Sequence, residues 1–184
     1  MLDGTIHGHV GVDWKLEGFL IRLTTADGQE IEVGDLLLHV LHTPGHTPES
    51  LSIVIYEHAD DEVPFGVLTG DTLFIGDVGR PDLLASLGFT RDELADQLYE
   101  SLHTQLLTLP DSTRVYPAHG AGSACGKNLS TETQSTIREQ KETNYALLAE
   151  SKKQFIDLVT PVRPRVHDHV CQPLLHTLGL AYPV

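Results

Sequence analysis

Short apolar segments that end abruptly at small or rigid residues are the feature of this sequence that most restricts its fold. Four such segments cover residues 36–41, 51–56, 65–69 and 113–116, and Gly, Pro or Asp residues bound them. Runs of this length that are rich in Val, Ile and Leu are typical of buried strands. Because they alternate with turn clusters and with helical patterns, they predict a mixed α/β protein.

Two stretches have the pattern of helices. Residues 90–93 read Thr-Arg-Asp-Glu, which fits a capping box, and leucines then recur every fourth residue at Leu94, Leu98, Leu102 and Leu106. This arrangement predicts a helix with one apolar face. A second helix is predicted over residues 131–150, where three apolar side chains fall near one face among charged residues: Ile137, Tyr145 and Leu148.

The two ends of the chain have weaker patterns. Asp27-Gly28 lies between residues 23–25 and 31–33, and it predicts a hairpin there because Asp-Gly suits the positive φ of a tight turn. Prolines interrupt residues 161–184, so we expect no regular structure there beyond a short helix near residues 174–178. The resulting prediction is one domain over residues 1–160 and an irregular C-terminal tail over residues 161–184.

Composition excludes several classes of protein. With 184 residues, 40% of them hydrophobic, the chain is long enough for one sizeable core. The net charge of −14, without a block of Lys or Arg, disfavours a nucleic-acid partner. Neither a leader pattern nor a long apolar stretch is present, so we expect a soluble, cytoplasmic protein with no membrane partner. The two cysteines, Cys125 and Cys171, are expected to be reduced thiols.

Three of the predicted strands are each followed by a side chain that can bind a metal. His46 follows residues 36–41, Asp71 follows residues 65–69, and His119 follows residues 113–116. Strand ends in layered α/β proteins lie along one rim of a sheet, so these side chains can converge. Two imidazoles and a carboxylate suit Zn(II), Mn(II) or Fe(II) and leave positions open for substrate.

Each of the three residues also has a simpler interpretation. A single histidine in a loop, such as His46 or His119, is usually only solvated. Asp71 follows a glycine, where aspartate commonly forms a turn or caps a helix. The prediction of a metal site therefore depends on all three residues occurring together.

Four longer segments carry a resemblance to a known family. They read HTPGHTPES, VLTGDTLFIGDVGRPDL, VYPAHGAGSACGKNLS and STIREQKETNYAL. The chain resembles the metallo-β-lactamase superfamily over residues 28–148, most closely its persulfide dioxygenase branch, with glyoxalase II as a more distant relative. The resemblance implies an α/β fold, namely the metallo-β-lactamase-type αββα sandwich, with the metal at one edge of its two sheets.

The same resemblance implies the metal ligands. His46 and Asp71 would bind a single Fe(II), which this branch holds with two histidines and one aspartate, and Zn(II) is the alternative metal. His119 matches a histidine that binds a second metal in glyoxalase II and lies near the iron in the dioxygenases. Asp71 and His119 would therefore also take part in catalysis.

The implied substrate is a small thiol or persulfide such as glutathione persulfide, which would be oxidised to sulfite with O₂. Arg80 matches an arginine that helps to hold this substrate, and Thr47 and Tyr116 would lie beside the pocket. Lys141 would supply a second positive charge for the carboxylates of glutathione. Arg80 also has a structural alternative, because it could pair with a neighbouring acid, namely Asp77 or Asp82.

The sequence departs from the family pattern in its first residues. The His-x-His-x-Asp-His signature expected before the turn at His46 does not occur, which predicts a sandwich that is shortened at its N-terminus. His7 and His9 form the nearest substitute and are additional candidate ligands, although histidines near a terminus are more often solvated. In the tail, His167, His169 and Cys171 are also ligand types, and solvation is again the favoured interpretation.

Three functions remain open from the sequence. The first is an iron-dependent persulfide dioxygenase. The second is a metal-dependent hydrolase of thioesters, lactones or β-lactams, in which a metal-activated water attacks a carbonyl carbon. The third is a catalytically impaired remnant that homodimerisation completes, because half a sandwich exposes a sheet face that needs a cover. The corresponding oligomeric state is a homodimer.

Overall fold

The computed structural model describes residues 27–82, 89–120 and 130–160. In chain order the strands are β1 (Glu30–Val33), β2 (Leu36–His42), β3 (Leu51–Tyr56), β4 (Gly66–Gly70), β5 (Arg114–Pro117) and β6 (Ser135–Thr136). The helices are α1 (Arg91–Thr104), α2 (Ile137–Thr143) and α3 (Lys152–Val159), with a short 3₁₀ helix at Leu106–Thr108. No helix in these three ranges is long and apolar enough to cross a membrane.

The six strands form one sheet in the order β1 to β6. Neighbouring strands run antiparallel except β4 and β5, which are parallel. The four predicted strands are confirmed as β2, β3, β4 and β5, each within one residue of its predicted bounds. Because β4 and β5 are parallel neighbours, their C-terminal ends lie at the same edge of the sheet.

The predicted hairpin at Asp27-Gly28 is only partly confirmed. A turn forms there with Gly28 at φ 72°, but the strand predicted over residues 23–25 lies outside the described residues. Residues 31–33 pair instead with β2, through a two-residue turn at Gly34-Asp35. Gly34 has a φ of 65°, which two-residue hairpins require and glycine adopts without strain.

One face of the sheet packs against the helices. Val54, Val67 and Val115 are buried beside the leucines of α1, which are fully buried: Leu94, Leu98 and Leu102. The capping box is confirmed, because Thr90 Oγ1 accepts a hydrogen bond from the Glu93 N–H and Glu93 Oε2 accepts one from the Thr90 N–H. The pattern of leucines thus gave both the position and the buried face of α1.

The opposite face of the sheet is less covered. Leu36 and Leu68 are 39% and 38% exposed, and Val33 is 53% exposed. Pairing registers place these three side chains on the face opposite to Val54 and Val67. The expectation of buried strands therefore holds more fully for the face that packs on the helices, and a second sheet of the predicted sandwich is not among the described residues.

The prediction of one helix over residues 131–150 is wrong. Residues 135–136 form β6 beside β5, α2 covers only Ile137–Thr143, and a turn separates it from α3. Helix α2 ends at Asn144, whose backbone is extended and whose side-chain amide donates to the Asp77 carbonyl. Leu148, which was predicted to share the buried face, is 56% exposed.

Several predictions fall on residues that the structure does not describe. They concern the candidate ligands His7 and His9, the two cysteines, and the tail over residues 161–184 with its histidines. These predictions remain as the sequence analysis stated them.

Candidate metal centre

Three loops at the sheet edge bring His46, Asp71 and His119 together, as the positions of the strand ends predicted. The Nε2 atom of His46 lies 3.2 Å from Oδ2 of Asp71, and Nε2 of His119 lies 3.2 Å from Oδ1 of the same carboxylate. Each oxygen of Asp71 thus faces a different imidazole. The convergence is confirmed, whereas the role of the three residues as metal ligands remains a prediction.

The turn between β2 and β3 holds His46 in place. The Thr43 N–H donates to the Ser50 carbonyl at 2.9 Å, which closes the loop at its base. Gly45 has a φ of 140° and packs so closely on helix α1 that a Cβ atom there would collide with the Leu98 backbone. Glycine is therefore required at this position, because it lets α1 pack directly against the turn that carries His46.

Hydrogen bonds also tie the three loops to each other. Thr43 Oγ1 lies 2.9 Å from Ser52 Oγ and 3.1 Å from Thr72 Oγ1, and all three hydroxyls are buried. The Ala118 N–H donates to the Gly70 carbonyl at 3.0 Å, which holds the loop of His119 beside that of Asp71. These bonds fix the relative positions of the three loops that carry the candidate ligands.

A backbone carbonyl determines the orientation of the His46 ring. The Nδ1 atom of His46 lies 2.9 Å from the Arg80 carbonyl oxygen, and a carbonyl can only accept, so Nδ1 carries a proton. In the neutral imidazole the lone pair is then on Nε2, the atom that faces Asp71. Histidines that bind metals commonly donate their second ring N–H in this way.

Gly79 makes this arrangement sterically feasible. A Cβ atom at Gly79 would collide with the Asp71 backbone oxygen and would lie 3.0 Å from the Cβ of His46. Neither Gly79 nor the Arg80 carbonyl was identified from the sequence. Gly79 lies within the family-like segment and could have been recognised there, whereas a backbone carbonyl gives no signal in the residue type.

The donor set fits a metal ion that prefers nitrogen and oxygen ligands. His46 is 6% exposed and has the tautomer that presents Nε2, while the half-exposed His119 would leave the centre open to solvent and substrate. Over the described ranges, however, no three His, Cys, Asp or Glu side chains already form a group that could hold a metal. The reason is visible in the geometry, because the histidines face opposite oxygens of Asp71 rather than one common point.

The structure places the predicted substrate-binding residues in different surroundings. The guanidinium of Arg80 forms a bidentate pair with Asp82, at 2.8 Å and 2.9 Å, which is one of its two structural alternatives. Thr47 Oγ1 lies 3.0 Å from Ser50 Oγ, within the loop that carries His46. Both residues are thus adjacent to the centre, and each has a structural contact there.

Tyr116 and Lys141 contact residues outside the group of three candidate ligands. Tyr116 stacks against Phe65 on the less covered face of the sheet, with ring centroids 6.4 Å apart. The ammonium of Lys141 is 2.7 Å from Asp111, at the opposite end of β5 from His119, and its hydrogen bond lowers the pKa of Asp111. The structure therefore does not bring Lys141 to the candidate centre.

Comparison with known proteins gives the evolutionary context of this geometry. No family model matches the chain. The chain is 29% identical over 159 residues to the human mitochondrial persulfide dioxygenase ETHE1, covering 86% of this chain and 54% of that protein. It is 40% identical over 99 residues to the probable metallo-hydrolase YqgX of Bacillus subtilis, a match that covers 54% of this chain and 40% of YqgX. The chain thus spans about half the length of these curated relatives or less.

Two solved structures share the fold. A metallo-β-lactamase from Staphylococcus aureus superposes on this chain with a TM-score of 0.69 at 37% identity. The match covers 88% of this chain and 47% of the Staphylococcus aureus chain. ETHE1 from Myxococcus xanthus superposes with a TM-score of 0.60 at 34% identity. This match covers 78% of the present chain and 54% of the Myxococcus xanthus chain. The resemblance stated from the motifs is therefore confirmed, and the chain belongs to the metallo-β-lactamase superfamily.

Proposed function

We propose that this chain is a metal-dependent oxidoreductase that oxidises a small persulfide, such as glutathione persulfide, with O₂. The observation that carries the proposal is the placement of Asp71 between His46 and His119, with Nε2 of His46 presented by its bond to the Arg80 carbonyl. The matches to persulfide dioxygenases from human and Myxococcus xanthus support this substrate class.

In the proposed reaction the outer sulfur of the persulfide is oxidised and O₂ is reduced. One persulfide, one O₂ and one water give the free thiol, sulfite and two protons. His46 and Asp71 would hold the metal, for which Fe(II) is our first choice. When bound, iron supplies the redox chemistry that amino-acid side chains lack.

The residues of the chain have separate parts in this proposal. His46 is buried and its Nδ1 atom is held by the Arg80 carbonyl, so it provides a rigid ligand through Nε2. The side chain of His119 is 44% exposed, so it can contact a substrate that enters from solvent. We assign to Arg80, whose carbonyl bonds to His46 and whose guanidinium pairs with Asp82, the binding of a carboxylate of the thiol substrate.

A specific observation also favours a second function, metal-dependent hydrolysis. Because the two oxygens of Asp71 face different imidazoles, His46 and His119 would each hold one metal ion together with this carboxylate. Metal bound by these residues would supply the activation of water that hydrolysis of a thioester, lactone or β-lactam requires. The similarity to the Staphylococcus aureus metallo-β-lactamase and to YqgX supports this alternative.

Metal content and activity distinguish the two functions. The experiment measures bound metals by plasma mass spectrometry on untagged wild type, His46→Ala and His119→Ala after anaerobic loading with Fe(II) or Zn(II). His39→Ala is the matched control, because His39 lies on β2 and faces Glu30, away from the centre. Oxygen uptake with glutathione persulfide and hydrolysis of a thioester are measured on the same samples.

About one iron per chain that is lost in His46→Ala, together with oxygen uptake, supports the dioxygenase. Two zinc ions, one of them lost in His119→Ala, together with thioester hydrolysis, support the hydrolase instead. A wild type that binds neither metal and consumes no oxygen contradicts both functions.

A further inference from the structure

Two fully buried amide side chains contact the loop that leads to Arg80. Gln140 is in α2 and Asn144 is its C-cap, and both are 0% exposed. Burying a side-chain amide is unfavourable unless hydrogen bonds replace those it made to water. The partners of these two amides therefore show what their burial achieves.

The amides bind the backbone of the loop formed by residues 74–77. Gln140 Oε1 accepts a hydrogen bond from the Gly76 N–H at 2.9 Å, and Asn144 Nδ2 donates to the Asp77 carbonyl at 2.9 Å. Asn144 Nδ2 also donates to Gln140 Oε1 at 3.0 Å, so the two side chains act as one unit. We refer to Gln140 and Asn144 together as the amide clamp.

The second polar atom of each amide in the clamp is also hydrogen-bonded. Gln140 Nε2 donates to Ser135 Oγ at 2.8 Å, and Asn144 Oδ1 accepts from the Ala146 N–H at 3.2 Å. In both amides, therefore, the oxygen accepts a hydrogen bond and the nitrogen donates one. A simple apolar side chain would fill the same volume but would release the loop.

The clamped loop continues directly to the carbonyl that orients His46. The Phe74 N–H donates to the Asp77 carbonyl at 3.0 Å, and the Gly79 N–H donates to the Thr72 carbonyl at 3.2 Å. These bonds make residues 72–79 a tight, internally bonded unit. A shift of this unit relative to α2 would carry Arg80 with it, and the carbonyl of Arg80 is bonded to the His46 ring.

We propose that Gln140 and Asn144 are positioning residues that fix the tautomer and orientation of the His46 ring through the loop at residues 74–80. The effect on metal binding rests on the proposed function, whereas the effect on His46 does not. The clamp does not touch His46, so its action is indirect. A merely structural role would lower the stability of the domain without changing the His46 ring.

The test compares clamp variants with a variant of similar destabilising effect elsewhere in the core. Asn144→Ala removes the donor to the Asp77 carbonyl, and Gln140→Met keeps much of the side-chain volume but removes the acceptor for Gly76. Val159→Ala is the control, because Val159 is buried in α3 within the same core and is not bound to the loop. If one clamp variant fails to fold, the other still tests the inference.

The first readout is the state of the His46 ring in the metal-free full chain. Long-range ¹H–¹⁵N correlation spectra, which show which ring nitrogen carries a proton, are recorded for all variants at the same pH. The signal is assigned from its loss in His46→Gln. The second readout is the affinity for Zn(II) alone, measured by competition with a chromophoric chelator.

We expect wild type and Val159→Ala to show one His46 tautomer with a proton on Nδ1 that exchanges slowly with solvent. Both clamp variants should show mixed tautomers, with a Zn(II) affinity lowered about 10-fold, since the loss of outer ligand contacts typically costs 10–100-fold. Clamp variants that are less stable but keep the wild-type His46 signal would overturn the inference, even if their Zn(II) affinity falls. If wild type binds no Zn(II) while the tautomer changes as expected, the positioning role stands and the proposed metal function fails.

Discussion

Nε2 of His46 and Oδ2 of Asp71 lie 3.2 Å apart at the edge of the sheet, although they belong to loops that follow different strands. The bond from Nδ1 of His46 to the Arg80 carbonyl leaves Nε2 of the neutral ring without a proton. Two electron-rich atoms therefore face each other at short range, an arrangement that a proton or a metal cation between them stabilises. This pair is the centre of the first prediction.

We expect Asp71→Asn to lower the affinity for Zn(II) or Fe(II) more than about 100-fold, since losing an outer contact alone can cost 10–100-fold. The amide keeps the shape of the side chain but removes its charge. Chelator competition measures the affinity, and Asp157→Asn, at an exposed ion pair in α3, serves as the control. An unchanged affinity in Asp71→Asn would show that the metal, if bound, lies elsewhere.

Gly79→Ala should destabilise the protein by about 1–3 kcal/mol, the usual cost of forcing extra atoms into a packed site. The new methyl group would collide with the Asp71 backbone oxygen and press against His46. The control is Gly120→Ala, where the nearest atom to the added Cβ is 3.7 Å away, so little change is expected. Urea unfolding measures both, and equal midpoints would contradict the packing described for Gly79.

His103 should make the protein less stable in mildly acidic solution. Burial lowers the pKa of His103, and the charge of Glu100 offsets this only in part. As the pH falls below about 6.5, the unfolded chain takes up the proton first, so stability decreases until the pH reaches the lower pKa of the folded state. Above this pH range the His103 imidazole is neutral in both the folded and the unfolded protein, so it no longer makes stability depend on pH.

The measurement is urea unfolding of wild type and His103→Gln between about pH 5 and pH 8, a range that spans the ordinary pKa of histidine. We expect the difference in stability between the two proteins to shift in favour of the variant as the pH falls. His58→Gln, at an exposed loop position, controls for the loss of a histidine. A difference for His103→Gln that does not vary with pH would refute the prediction.

The less covered face of the sheet leads us to predict self-association. Val33, Leu36, Phe65 and Leu68 are each at least 36% exposed, and clustered apolar surface of this kind commonly marks an interface. Sedimentation velocity at micromolar concentration should show a dimer for wild type and a monomer for Leu68→Glu. Leu148→Glu is the control, because Leu148 is exposed on the helical side. A wild-type monomer would contradict the prediction.

Local patterns were sufficient for much of this fold. Runs of Val, Ile and Leu between turn residues located β2 to β5, and the capping box with its spaced leucines located α1. These features depend on neighbours within a few residues along the chain, so their physical cause is present in the sequence itself. The same reasoning placed His46, Asp71 and His119 at strand ends, where the structure brings them together.

Other features depended on groups that are distant in the sequence. The amide of Asn144, at the end of α2, donates to the Asp77 carbonyl, and Lys141 faces Asp111 rather than the candidate metal centre. The orientation of His46 depends on a backbone carbonyl, which every residue type provides equally. The sequence by itself thus determined strands β2 to β5, the capped helix and the set of candidate ligands. Only the tertiary structure decided which hydrogen-bond partners each polar group meets, because packing brings those partners together from separate loops.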